Sequence, residues 1–318
     1  MAGIITDVAS FDATFQTGVM EQIARNISVF EQSGGAIRLI DQRLGGDYSS
    51  RAVRRRIANA ITKRDPLLTT AVVDLIATST SDVGVKLKRK FGPVANTRDS
   101  FNEMISDAGG SIDALALDYG RVAGEEMMAD QIDTALRALA TVYGALNVTA
   151  AGGPLTTAAM INGLASYGDA SGQIITWVMH SAAYYALVTD QAVTTNIDGV
   201  SNFNVATGTP VTLNRPVVVV DSPALENGGT YTTLGLTADA CRILNSRSMD
   251  MAIDTVTGNE NLITRIQMEY DYNVEVRGAA WQTAAGANPD DATLATAASW
   301  AQTGSDLKHL GGFAITST

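Results

Sequence analysis

The sequence predicts an α+β fold, and three features predict it. In Ser111–Leu146 the apolar residues fall three or four apart along the whole stretch, the spacing of one unusually long helix. In Arg265–Arg277 polar and apolar residues alternate at all twelve positions from 266 to 277, the period of a strand with one covered face. Between them, after residue 173, compact apolar runs and helical patterns take turns, as in a small α/β unit.

Residues 1–33 read as a short lead and an amphipathic helix. Phe15, Val19, Ile23, Ile27 and Phe30 recur at helical spacing, and Gly34-Gly35 stops the pattern. So small an arm cannot fold alone. Its first residues, MAGIITDVASFDATF, lack the basic region and apolar core of a signal peptide.

Residues 36–96 read as a long two-stranded excursion with helical or irregular parts at its tip. IRLIDQRLGGDYSSRAVRRRIANAITKRD holds a glycine turn at Gly45-Gly46 and the cluster Arg54-Arg55-Arg56. Threonines and β-branched residues in LLTTAVVDLIATST favour strand. GVKLKRKFGPV alternates Val85 and Leu87 with Lys86 and Lys88, and Gly92-Pro93 is expected to end it. The segment has too little apolar bulk for its own core, so it should lie on another surface.

Charge sets this segment apart. Ala36–Arg98 carries 13 Lys and Arg against 5 Asp and Glu, a net of +8 on a chain of net −11, which leaves −19 elsewhere. Opposite potentials on one chain favour contact between copies, or between the segment and its own body. Nucleic acid is the competing partner. Tyr48 and Phe91 are its only rings, however, so the stacking platform of a single-strand binder is missing.

Residues 98–173 hold three helical patterns. Thr97 is placed to cap RDSFNEMISD. Ser111 and Asp113 suit the start of the long helix, which spans about 54 Å if continuous. Gly120 and Gly124 weaken its first half, at up to about 1 kcal/mol each. After AGGP, LTTAAMINGLASYG forms a short helix.

In residues 174–259, QIITWVMH reads as a buried strand and SAAYYALVTDQ as a helix. The Val217–Val220 run suggests a strand covered on both faces. YTTLGLTADACRILNSRSMDMAI is expected to add a helix beginning near Thr237, with Cys241 packed rather than reactive. In residues 260–318 the alternating strand needs a cover for its apolar face, and the long helix is the obvious candidate. A short helix near Asp290–Trp300 and a final strand, LGGFAITS, complete the chain.

A chain of 318 residues can bury a large core and would normally form about two domains. No run of 18 apolar residues exists, so no transmembrane helix is expected. One cysteine, Cys241, excludes an internal disulfide and any CxxC site, and a reducing cytoplasm is the natural setting. No nucleotide-loop, nucleophile-elbow or HExxH motif is present. His180 reads as a core or rim histidine and His309 as exposed. Glu125-Glu126 diverge around the helix and read as solvated, and Asp290-Asp291 read as caps. No catalytic, cofactor-binding or metal-ligating set emerges.

The order of these pieces resembles the major capsid proteins of tailed bacteriophages, with the Hong Kong 97-type fold. Residues 1–33 look like that family's N-terminal arm, 34–97 like its extended loop (the E-loop), and 98–173 like a peripheral domain with its spine helix. WVMHSAAYYALVTD and RPVVVVDSPAL are similar to parts of its axial domain, here 174–259. RIQMEYDYNVEVRGAAW and NPDDATLATAASWAQTGSDLKHLGGFAI resemble the return strands of the peripheral domain, 260–318. The resemblance implies a structural protein, not an enzyme, that assembles with itself as hexamers and pentamers. The icosahedral shell would enclose double-stranded DNA without sequence specificity, and no membrane would be involved. It implies a virion location, assembly in the host bacterial cytoplasm, no cofactor, and scaffold, portal and decoration proteins as further partners. The basic loop would lie on a neighbour's acidic body, which makes Arg54, Arg55, Arg56, Lys86, Lys88, Arg89 and Lys90 the expected inter-subunit contacts. Some members cross-link subunits through a lysine, but no residue match carries that chemistry here. Two other readings stay open: an encapsulin-like nanocompartment shell, which shares the fold, and a soluble α/β enzyme.

Overall fold

The computed structural model describes residues 11–22, 34–54, 61, 63–64, 66–67, 79–107, 110–196, 212–304 and 306–318. Ile23, Ile27 and Phe30, most of LLTTAVVDLIATST, and Arg55 and Arg56 lie outside them.

In chain order the first elements are α1 (residues 11–22), β1 (Ile37–Asp41), β2 (Tyr48–Arg54), β3 (Ser79–Thr97), α2 (Arg98–Asp107) and α3 (Ile112–Leu146). Next come β4 (Val148–Ala150), α4 (Thr157–Ser166), β5 (Ile174–Met179), α5 (Ser181–Asn196), β6 (Val217–Val219) and β7 (Glu226–Asn227). The last are β8 (Thr230–Thr237), β9 (Cys241–Val256), β10 (Ile263–Val276), β11 (Ala279–Trp281), α6 (Asp291–Leu294), β12 (Trp300–Gln302) and β13 (Gly312–Ser317). They build two larger sheets. One has the order β1-β9-β10-β3-β2; the other runs β4-β13-β8-β5-β6, with β7 on β8.

The long helix forms as its spacing predicts and crosses both sheets. Over the first it meets β10, where Thr134 and Tyr272 share a hydroxyl–hydroxyl hydrogen bond of 3.0 Å. Near its end the buried Tyr143 donates to the Arg277 carbonyl, and a Cβ on Gly311 would lie 2.4 Å from that hydroxyl. β10 is central to its sheet, and Ile266, Met268, Tyr270, Tyr272, Val274 and Val276 on its α3 face are all buried. Burial of such aliphatic and aromatic side chains is the main source of stability here.

The buried face of α3 is wider and smaller-grained than the predicted stripe. Ala116, Gly120, Ala123, Gly124 and Met127 are buried, whereas Val122 is 48% exposed. The glycines explain this. A Cβ on Gly120 would stand 2.3 Å from the Phe15 carbonyl oxygen, and one on Gly124 would stand 3.2 Å from that of Val19. Helix α1 therefore lies backbone-close against α3, and Phe11, Phe15 and Val19 are fully buried. Ser111 stands at the N-cap position but makes no side-chain capping bond, while Thr156 does cap α4.

Three expectations need correction. The helix predicted near Thr237 is two strands, β8 and β9, joined by a turn in which Asp239 adopts φ of 62°. Leu234 and Leu236 before the turn, and Cys241 and Ile243 after it, follow a period of two that the intervening TADA obscures. The valines of β6 are not covered on both faces: β6 is an edge strand and Val219 is 43% exposed. Finally, β3 does not stop at Gly92-Pro93 but continues to Thr97 across a register shift opposite Ile266 and Met268.

Candidate assembly surface

Strand β3 carries four of the seven cations expected at subunit contacts. Its alternation pairs Arg89 with Tyr270 on the α3 side, while Lys86, Lys88 and Lys90 pair with Asn273, Asp271 and Glu269 on the opposite face. Arg54 ends β2 at the far end of the same ladder, opposite Ser79. Arg55 and Arg56 are outside the described residues. The structure thus brings Lys86, Lys88, Arg89 and Lys90 together and sets Arg54 apart from them.

These cations differ in what is left for a partner. Lys86 is 8% exposed, and its ammonium donates to the Leu44 carbonyl at 3.0 Å. Lys88 is half-exposed with its Nζ 3.3 Å from Asp47, and its backbone N–H donates to Asn288 at 2.8 Å. Arg89 is spent inside the subunit, 2.8 Å from Asp291 and 3.5 Å from Asp130. Lys90 is exposed. Two further cations of the segment, Arg38 and Arg51, face Asp239, which also pairs with Arg242.

Asp130 gathers three elements on one carboxylate. The Tyr270 and Tyr272 hydroxyls donate to its Oδ2 at 3.2 and 2.8 Å, and Arg89 approaches Oδ1. Burial works against the Arg89 charge, but Asp291, Tyr272 and Asp130 more than offset it and hold the guanidinium charged. Burial, and then the Asp130 charge, push both tyrosines above the ordinary range, so their hydroxyls remain donors. The result ties α3 to β10, β3 and α6.

Asp82 does the same at the root of β3. It is 2% exposed, accepting from the Thr303 hydroxyl at 2.6 Å and the Gly278 N–H at 3.1 Å. Burial raises its carboxyl above the usual range, opposed by those two bonds and by the charges of Arg51 and Arg277. At Asp239, burial is outweighed by the Arg242 hydrogen bond and the charges of Arg242, Arg51 and Arg38, which hold the carboxyl low. No pattern of spacing marks Asp82, Asp130 or Asp239 in the sequence: Asp82 and Asp130 act through residues distant along the chain, and Asp239 joins its near neighbour Arg242 to the distant Arg38 and Arg51. The cue available was the excess of cations in the segment, which required acids somewhere to face them.

Of the residues weighed for chemistry, His180, Glu125 and Asp290 have structural partners. The His180 Nδ1 accepts from the Ala182 N–H at 3.2 Å, its Nε2 lies 3.6 Å from Asp221, and its ring packs on Tyr231. His309 is half-buried rather than exposed. Glu125 and Glu126 are exposed, with Glu125 accepting from Gln22 at 2.8 Å, and Asp290 caps α6 by accepting from the Thr293 N–H. Cys241 is fully buried, and burial raises its thiol out of the reactive range. Among the described residues no group of three or more His, Cys, Asp or Glu is arranged to hold a metal ion. No described helix is long and apolar enough to cross a membrane.

A family model described as Gp13-like, major capsid protein 13-like, matches residues 7–314. No curated protein matches the sequence. Among solved structures, a chain from Mycobacterium phage Bobi is similar with a TM-score of 0.53 at 10% identity, covering 88% of each chain. One from Mycobacterium phage Cain also gives 0.53 at 10% identity, covering 78% of this chain and 85% of its own. The Cyanophage Pam1 capsid asymmetric unit gives 0.50 at 12% identity, covering 90% of this chain and 91% of its own. At such identities the likeness is one of fold.

Proposed function

The chain belongs to the Gp13-like family of major capsid proteins and is a structural protein of the tailed-phage shell, and from that premise we propose how its subunits join. The match over residues 7–314 carries the reading. Copies of the chain form hexamers and pentamers in an icosahedral shell around double-stranded DNA. Residues 1–33 act as the N-terminal arm, 34–97 as the extended loop, 98–173 and 260–318 as the peripheral domain, and 174–259 as the axial domain. Assembly takes place in the host cytoplasm, with scaffold, portal and decoration proteins as further partners. The acidic remainder of the chain suits a container that confines DNA without gripping its phosphates, because neutralising many phosphates makes binding strong and salt-dependent.

The exposed Lys90 supports the mode of contact. Arg89 is neutralised at home, so Lys90, together with Arg54, Arg55 and Arg56 of the same basic segment, is the proposed contact to a neighbour's acidic surface, giving register and orientation more than raw affinity. The test is particle size. The purified wild-type chain should sediment as megadalton particles, and a monomer or small oligomer under all assembly conditions would refute the proposal. Reversing Arg54, Arg55, Arg56 and Lys90 to glutamate should leave a folded, unassembled subunit. Normal particles from that variant, seen by electron microscopy, would exclude the charge contact while leaving the shell role intact.

A further inference from the structure

On the face of the five-stranded sheet turned away from α3, polar side chains are buried side by side. Lys86 of β3 is paired with Asn273 of β10, and Ser49 of β2 with Gly84 of β3. A Cβ on Gly84 would lie 2.5 Å from Ser49 Oγ and 2.6 Å from Glu275 Cγ, so these side chains close over the glycine. Ser246 of β9 is the extra residue where the β9–β10 register shifts, between Asn245 opposite Tyr272 and Arg247 opposite Asp271. Exposure is 0% for Asn273, 4% for Ser49, 6% for Ser246, 7% for Glu275 and 8% for Lys86. The connection between β1 and β2 is fastened to this face, since the Leu44 and Asp47 carbonyls accept from the Lys86 ammonium and its backbone N–H.

Both polar atoms of the Asn273 amide, together with Ser49 Oγ and Ser246 Oγ, are buried without a hydrogen-bond partner among the described residues. Folded proteins satisfy roughly nine in ten such groups, with protein or with ordered water. An amide offers two donors and an acceptor oxygen, and a hydroxyl offers both kinds, so the partner must donate and accept. We infer that a small cluster of ordered water molecules occupies this layer beneath the β1–β2 connection, bridging Asn273 to Ser49, Ser246 and the Lys86 ammonium. Water meets the mixed demand. An anion would face Glu275, and a larger ligand would need an opening that residues no more than 8% exposed do not provide.

A map of the subunit or of its particles, at a resolution that shows ordered solvent, tests this. The expected result is density within about 2.7–3.2 Å of an Asn273 amide atom and of a second group among Lys86, Ser49 and Ser246. An Asn273 amide bonded directly to Lys86 or to a serine, or a closed layer without such density, would overturn the inference. Growth in bromide buffer separates the occupants: peaks unchanged by bromide support water, and bromide replacing them would show an anion site instead. In Asn273→Leu the peaks that bridge the amide to Lys86 or to a serine should vanish. The wild-type map decides the matter if that variant fails to fold.

Discussion

Substituting Gly120 by alanine should destabilise the subunit, although alanine is the better helix former. The new Cβ would lie 2.3 Å from the Phe15 oxygen, 3.0 Å from its carbonyl carbon and 3.2 Å from its Cα. All three are backbone atoms of α1, so no rotamer change relieves the clash and α1 must retreat by roughly 1 Å to reach ordinary contact. Helix propensity returns at most about 1 kcal/mol, whereas overpacking of this kind costs about 1–3 kcal/mol. Fully buried Phe11, Phe15 and Val19 move with α1, so the net loss should be about 1–2 kcal/mol. At about 2–4 °C per kcal/mol, thermal unfolding of the unassembled subunit should show a drop of several degrees, with faster amide exchange in α1. Gly144 supplies the control, since it lies on the same helix with nothing within 4 Å of its Cβ position. There alanine should stabilise by about 0.5–1 kcal/mol. If Gly120→Ala stabilises the subunit as Gly144→Ala does, the backbone-close packing of α1 on α3 is wrong.

Tyr272→Phe removes the donor to Asp130 and the bond with Thr134 from a fully buried site, and should cost about 1.5–3 kcal/mol in chemical denaturation. Phe313→Ala empties the space between Gly163, Gly235, Trp177 and Tyr167 in the second sheet, a loss of about 3–5 kcal/mol by the same measurement. Asp82→Asn tests a pH dependence. Burial raises the folded carboxyl above its unfolded value, so its contribution is full below the unfolded range near pH 4 and is lost as pH rises through the folded value. Stability measured from acid to neutral pH should therefore move in favour of Asp82→Asn as pH rises; a difference independent of pH would contradict the assignment.

Much of the fold was legible because burial leaves periods in the chain. The spacing of Leu115, Leu136, Leu139 and Tyr143 and the alternation of Ile266 through Val276 each arise from one covered face, and both elements formed where predicted. Prediction failed where local cues and tertiary context disagreed. TADA looks like a helix start, yet it is the turn between two strands that pair with different neighbours. Gly92-Pro93 looks like a strand end, yet β10 holds β3 on both sides of it. Gly120 and Gly124 looked only like points that weaken a helix. Their position against α1, which only tertiary structure reveals, gives them a packing role.

The charge asymmetry shows why residues for assembly are harder to read than a fold. A net of +8 on one segment says that acids must face it, without saying whose acids. The geometry divides that charge. Arg38 and Arg51 share Asp239, Arg89 lies between Asp130 and Asp291, and Lys86 is drawn to a carbonyl of its own connection. Part-buried pairs such as Arg51–Asp239 and Arg89–Asp130 resist screening by salt, whereas exposed ones separated by more than about 10 Å are weakened at 0.1 M. The inward cations therefore set how the basic segment is fixed to its own body. Assembly, if it relies on Lys90 and the Arg54–Arg56 cluster, should be the salt-sensitive step, and the fold of the subunit should not be.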